Sequence, residues 1–147
     1  MPEVKFHFNV ADRSDYVCRL LRKASRQGAS VVVTGPAAVL VRIDRALWTF
    51  DALEFIPHVL LRPDEPVPER LRVTKIWLSE DSAASGCNDV LLSLNAQAAE
   101  PPAGFAQFAR VIEIVSPDAN ERLAARQRWK RYTEHGCAVA GHEAAPA

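Results

Sequence analysis

The chain has 147 residues, 48% of them hydrophobic, and its 18 basic side chains balance 18 acidic ones. These values are typical of one soluble globular domain, residues 1–147, and exclude the overall basic field of a general nucleic-acid-binding protein. The three cysteines form no Cys-x-x-Cys pair, which argues against a disulfide framework and favours a reducing compartment. Neither a signal peptide nor an apolar run of membrane-spanning length is visible, so we expect a cytoplasmic protein.

The first half of the chain predicts two β–α units. Residues 4–10 alternate between apolar and polar side chains, as in a strand with one wetter face. Ser14 is the predicted N-cap of a helix that Gly28 ends. The β-branched run at residues 30–34 predicts a strand buried on both faces, and Pro36 opens a second helix. This order favours parallel strand pairing.

The second half predicts three more strands, at residues 73–78, 89–94 and 110–115. The proline-rich stretch 50–68 cannot form a long helix and predicts a short strand or a loop. A last helix begins near Asp118 or Asn120 and ends at Gly136. Residues 137–147 are predicted to be a flexible tail.

The motifs of common enzymes and metal sites are missing from the sequence. It has no Gly-x-x-x-x-Gly-Lys-Ser/Thr phosphate loop and no Gly-x-Ser-x-Gly elbow. The spacing of His135, Cys137 and His142 matches no compact zinc pattern. We therefore expect no catalytic residues, no metal and no cofactor, and a degenerate nucleotide-binding enzyme stays a weak third alternative.

The most informative segment is residues 120–134, which contains five basic residues and only two acidic ones. At helical spacing three of these cations and one aromatic share an arc of roughly 100°: Arg122, Arg126, Trp129 and Lys130. Such a face suits a short acidic peptide that carries an aromatic side chain or a terminal carboxylate. A merely solvated charged face and a single-stranded nucleic-acid site, in which bases stack on Trp129, are the alternatives.

A second candidate surface lies around residues 46–58, where aromatic and apolar side chains crowd a helix end and the loop after it. Trp48 falls off the apolar stripe of the second helix, and Phe55 lies in a segment broken by proline. Exposed aromatic patches of this kind usually mark a protein interface. Core packing is the alternative.

At this point the sequence resembles a known family, the chi subunit of bacterial DNA polymerase III holoenzyme (HolC-like). The resemblance rests on Asp44–Trp48 followed by Phe55–His58, an Asp-x-x-Leu-Trp motif before a Phe-x-Pro-His motif. Residues 89–94 look like a strand of that family. Residues 125–132 look like its C-terminal helix, in which Arg-x-Arg-aromatic-Lys-x-Tyr recurs. The similarity runs over nearly the whole chain.

The resemblance implies a non-catalytic replisome subunit that links the clamp-loader complex to single-stranded-DNA-binding protein. Proteins of this family grip the acidic C-terminal tail of that partner, which ends in a phenylalanine carboxylate. By motif match the tail site would comprise Val115, Arg122, Arg126, Trp129 and Lys130. Where some relatives have lysine and tyrosine, this chain has Arg122 and Trp129, which keep the charge and the aromatic ring.

By the same resemblance, a surface made of Trp48, Phe55, Pro57 and His58 would contact the psi subunit of the clamp loader or an alternative helicase. Contact with DNA would be mainly indirect. Combining pattern and resemblance, we predict an α/β fold, a three-layer α/β/α sandwich around a largely parallel sheet. It would be like a nucleotide-binding fold without a phosphate-binding loop. A small single-stranded nucleic-acid-binding module that uses the same cationic helix is the alternative function.

Overall fold

The architecture is a parallel sheet with helices on both faces. A computed structural model of the protein describes residues 1–51, 55–62 and 73–144. Within these ranges the sheet has the strand order β3-β4-β2-β5-β6-β1-β7, and every pair is parallel. The strands are β1 Glu3–Phe8, β2 Val31–Thr34, β3 Val59–Leu60, β4 Ile76–Leu78, β5 Val90–Ser93, β6 Arg110–Ile114 and β7 Ala138–Glu143. The helices are α1 Arg13–Gln27, α2 Ala37–Thr49 and α3 Ala119–Glu134.

Two apolar layers hold the sandwich together, one on each face of the sheet. Helices α1 and α2 cover the first face with buried side chains, among them Val17, Leu21, Leu40, Ile43 and Leu47. Helix α3 covers the opposite face, where Val4, Phe6, Trp77, Val111 and Tyr132 are buried. Central strand β2 is buried along its whole length, as its unbroken β-branched run predicts. The predicted three-layer α/β/α fold is therefore confirmed.

The helix boundaries follow local capping chemistry. Asp12, and not Ser14, is the N-cap of α1, because its carboxylate accepts a hydrogen bond from the backbone N–H of Asp15 at 3.1 Å. Ser14 lies inside the first turn, so the predicted cap was misplaced. Gly28 ends this helix in the left-handed conformation, as predicted. None of the described helices is long and apolar enough to span a bilayer.

The end of the chain differs from the prediction. Instead of a flexible tail, residues 138–143 form β7, which pairs with β1 from Glu3↔Ala138 to Phe8↔Glu143. The Asn9 amide donates to the Glu143 carboxylate at 2.9 Å and secures the end of the strand. The prediction failed because β7 is held by backbone pairing and buries little of its small side chains. Residues 145–147 lie outside the described ranges, as do residues 52–54 and 63–68 of the proline-rich stretch 50–68 that was predicted as a short strand or a loop.

Helix α3 rests on the sheet through a polar contact. Arg128, a surface cation by its sequence context, is fully buried, and its Nε lies 3.3 Å from Oε1 of the equally buried Glu113. The Tyr132 hydroxyl donates to Oε2 of Glu113 at 2.7 Å, and Arg128 Nη1 donates to the Ala98 carbonyl at 2.6 Å. Burial raises the pKa of Glu113, and Arg128 followed by Tyr132 opposes that shift. This cluster fixes the rotation of α3 over the sheet.

Candidate functional site

A groove runs between α3 and the C-terminal ends of β1 and β6. It has a volume of about 380 Å³. Its lining comes from β1, from the residue after β6 and from one side of α3: Phe6, Phe8, Val115, Arg122, Ala125, Arg126 and Trp129. We call it the α3 groove. Its floor is apolar and its rim carries two cations.

The floor of the α3 groove is built by β1 and β6. Phe6 and Phe8 are two residues apart in a strand, so their side chains point to the same face of the sheet. Val115 is placed beside them because its backbone N–H donates to the His7 carbonyl at 2.9 Å. The ring of Trp129 lies 5.1 Å from that of Phe6, centroid to centroid, and remains 37% exposed. Trp129 is thus supported from below and open to a ligand at its edge.

The start of α3 is anchored so that its cations have a defined place on the rim. Asp118 caps the helix by accepting from the backbone N–H of Glu121 at 3.0 Å. The buried Glu121 carboxylate in turn accepts from the Ser116 hydroxyl and pairs with Arg13. Arg122 follows directly on this anchored turn.

The cations of α3 divide into two groups according to their surroundings. Arg122 and Arg126 are exposed one turn apart, and among the residues that the structure describes neither is paired with an acidic side chain. Arg131, in contrast, pairs with Glu100 at 3.1 Å. The two rim guanidiniums are therefore available to an incoming anion, and guanidinium is the cation best suited to bidentate carboxylate binding.

Four of the five residues predicted for the tail site lie together in the α3 groove: Val115, Arg122, Arg126 and Trp129. The fifth, Lys130, is exposed on α3 but does not line the groove. Sequence reasoning missed Phe6, Phe8 and Ala125. The alternation of β1 had marked both phenylalanines as one face of a strand, but their nearness to α3 depends on the strand order.

The second predicted surface is an aromatic cluster, the Trp48 patch, made of Trp48, Phe55 and Pro57. Trp48 is 58% exposed and Phe55 65%, and their ring centroids are 5.5 Å apart. His58, predicted to belong to this contact surface, is instead buried, with its ring 4.8 Å from that of Trp48. Its Nε2 lies 3.1 Å from Oδ1 of Asp44, and its Nδ1 donates to the Ile56 carbonyl at 2.7 Å. His58 thus supports Trp48 from beneath.

The turn after β2 leaves little room for a side chain on its glycine. A Cβ on Gly35, just after β2, would lie 3.1 Å from Cβ of Leu94. This glycine therefore accommodates the neighbouring strand end.

Among residues 1–51, 55–62 and 73–144 no group of three or more His, Cys, Asp or Glu side chains is placed to hold a metal ion. The His142 ring lies 5.1 Å from that of His7, and His135 contacts Phe105.

Comparison with known proteins agrees with the motifs. Residues 1–140 match the family model described as DNA polymerase III chi subunit, HolC. A DNA polymerase III subunit chi from Pseudomonas aeruginosa is 31% identical over 131 residues, which cover 88% of this chain and 85% of that protein. The subunit of the same name from Haemophilus influenzae is 27% identical over 123 residues, which cover 83% of this chain and 81% of that protein.

Proposed function

Because the chain belongs to the DNA polymerase III chi subunit family, whose members are accessory subunits of that polymerase, we propose that it acts as a non-catalytic link. It would join the clamp-loader complex to single-stranded-DNA-binding protein in the cytoplasm, and its contact with DNA would be mainly indirect. The α3 groove carries this proposal, since it joins an apolar floor to two arginines that pair with no acidic side chain of the described part of the chain.

The chemistry of the groove matches an acidic C-terminal tail that ends in phenylalanine. The terminal ring would lie against Phe6, Val115 and the edge of Trp129, where apolar area is removed from water. Arg122 and Arg126 would receive the terminal carboxylate and the aspartates before it in charge-assisted hydrogen bonds. The affinity should be modest, on the order of micromolar, because a flexible segment must be ordered on binding.

The deciding experiment titrates the full chain with a fluorescent peptide of the tail from the host's own single-stranded-DNA-binding protein. A matched peptide without the terminal phenylalanine is titrated in parallel. Saturable binding that weakens with salt and disappears with the truncation supports the proposal. Equal binding of both peptides, or binding of neither, would refute it.

Charge reversal at the rim should weaken the interaction strongly. We expect Arg126→Glu to raise the dissociation constant of the tail peptide at least tenfold, because an attractive contact becomes a repulsion. Lys23→Glu is the control, since it makes the same charge change at an exposed position of α1, on the other face of the sheet. Fluorescence anisotropy at one fixed salt concentration measures both variants. Equal affinities of the two variants would place the tail elsewhere.

The single-stranded nucleic-acid alternative finds less support in the geometry. Base stacking needs an open aromatic face. One side of Trp129 is occupied by Phe6, and only 37% of the tryptophan is exposed. An oligonucleotide titration with a steep salt dependence would nevertheless reverse this preference.

We assign the second partner, the psi subunit or an alternative helicase, to the Trp48 patch. Adjacent exposed rings are typical of interface hot spots. We expect Phe55→Ser to weaken binding of the host's clamp-loader complex or helicase at least tenfold. Its stability should change little, because the side chain is 65% exposed. Leu123→Ser, at a 56% exposed position on α3, is the control. Interferometry with the immobilised partner gives the dissociation constant of each variant relative to that of the wild type. Equal losses in both variants would contradict the assignment.

A further inference from the structure

Strand β7 brings a glycine against the aromatic wall of the α3 groove. Gly141 is paired in register with Phe6, and its backbone is not in the left-handed region that requires glycine. A Cβ at this position would lie 3.3 Å from Cε1 of Phe8 and 3.6 Å from Cη2 and Cζ3 of Trp129. A glycine inside a strand often marks a close approach of another group. Here the approaching groups are two rings.

Because Gly141 has no side chain, the rings of Phe8 and Trp129 can pack close to the backbone of β7. Phe8 and Trp129 are each 37% exposed, so neither is held by deep burial. The ring of Trp129 lies 5.1 Å from that of Phe6, centroid to centroid, and its six-membered ring also lies close to the backbone of Gly141, the residue paired with Phe6. The position of Trp129 therefore depends on a strand that does not itself line the groove.

A side chain at position 141 would act on the groove from behind. A β-branched residue suits an edge strand, so the substitution opposes no backbone preference. Its methyl groups would compete for space with Cε1 of Phe8 and the six-membered ring of Trp129. Because the sheet lies beneath them, the rings would have to move away from it and into the space above the floor.

We infer that Gly141 is a positioning residue, which sets the place of Trp129 and Phe8 so that the α3 groove admits an aromatic side chain of the bound peptide. This inference rests on the proposed function. Gly141 contacts the two wall residues and no ligand. Its effect should therefore be confined to ligands whose apolar end enters the groove, and the charged contacts at Arg122 and Arg126 should be unaffected.

The test compares three variants of the full chain: Gly141→Val, Gly141→Ala and, as a control, Ala140→Val. Ala140 is exposed in the same strand and points to the opposite face of the sheet. We expect Gly141→Val to weaken binding of the phenylalanine-ended tail peptide about tenfold, Gly141→Ala to weaken it less, and Ala140→Val to leave it unchanged. For a tail peptide that ends in alanine, Gly141→Val should lower the binding affinity by a smaller factor than for the phenylalanine-ended peptide.

A second readout needs no ligand. The fluorescence of Trp129, obtained as the difference between each chain and its Trp129→Phe version, should shift in Gly141→Val and not in Ala140→Val. Unchanged peptide affinity in Gly141→Val would overturn the inference. If the wild-type chain itself failed to bind the peptide, the proposed function would fail. In that case the Trp129 emission decides about Gly141 separately. An emission that is also unchanged in Gly141→Val would show that Gly141 does not set the place of Trp129.

Discussion

Replacing Arg128 with methionine should lower the free energy of unfolding by about 3–5 kcal/mol. The guanidinium of Arg128 is fully buried, and it is the cation that balances the buried Glu113 carboxylate at 3.3 Å. Methionine would fill much of the space but leave that carboxylate without a countercharge. It would also remove the donor to the carbonyls of Ala96 and Ala98. Removing one partner of a buried pair costs far more than removing both.

Urea denaturation of three variants tests this prediction. Arg131→Met, on the exposed side of the same helix, should cost at most about 1 kcal/mol, since surface ion pairs contribute little. The double variant Arg128→Met with Glu113→Gln should recover part of the loss, because no unpaired buried charge remains. A loss in Arg128→Met as small as that in Arg131→Met would contradict the role given to this cluster.

The second large effect is a loss of stability in acid that originates at His7. Burial, then the charges of His142 and Lys5, lowers the pKa of His7 from 6.5 to about 4. Between these values the unfolded chain binds a proton that the folded chain does not. The stability that neutral His7 contributes is therefore fully present above pH 6.5 and is lost as the pH drops towards 4. The shift corresponds to about 3 kcal/mol over this window.

Urea unfolding at pH 7 and at pH 4.5 measures this effect as the difference between wild type and His7→Phe. The substitution removes the titrating group, so the wild type should lose more stability than the variant in the same interval. His142→Gln is the informative companion. It removes the second cause of the shift and should reduce the acid loss without abolishing it. Parallel pH profiles of wild type and His7→Phe would assign the acid sensitivity to other groups.

Local sequence patterns predicted the sheet layers well because each was encoded within one element. The unbroken run of β2 reports burial on two faces, and the apolar stripes of α1 and α2 report which side meets the sheet. The same periodicity brought Arg122, Arg126 and Trp129 onto one side of α3. Patterns within single elements therefore sufficed for the fold class and for three of the α3 residues that line the groove.

The features that the sequence did not predict depend on contacts between distant elements. Phe6 meets Trp129 only because β1 lies between β6 and β7, which no local pattern encodes. Arg128 looks like its charged neighbours until Glu113 is found beneath it. His58 was predicted to lie on the surface because Phe55 and Pro57 precede it in an aromatic segment. In the structure it is buried, with its Nε2 close to the Asp44 carboxylate. Buried polar side chains whose partner lies on another element are the hardest to assign from pattern alone.

The position of β1 has a consequence for the synthesis of the chain. The first strand made lies between two strands from the last third of the sequence, with Glu3 opposite both Arg110 and Ala138. Closing such long loops is entropically unfavourable and slows folding. While the ribosome is still translating, β1 has neither neighbour and the α3 groove lacks one wall. The groove can therefore be completed only after β6, α3 and β7 have been made, so an interrupted translation product would lack it.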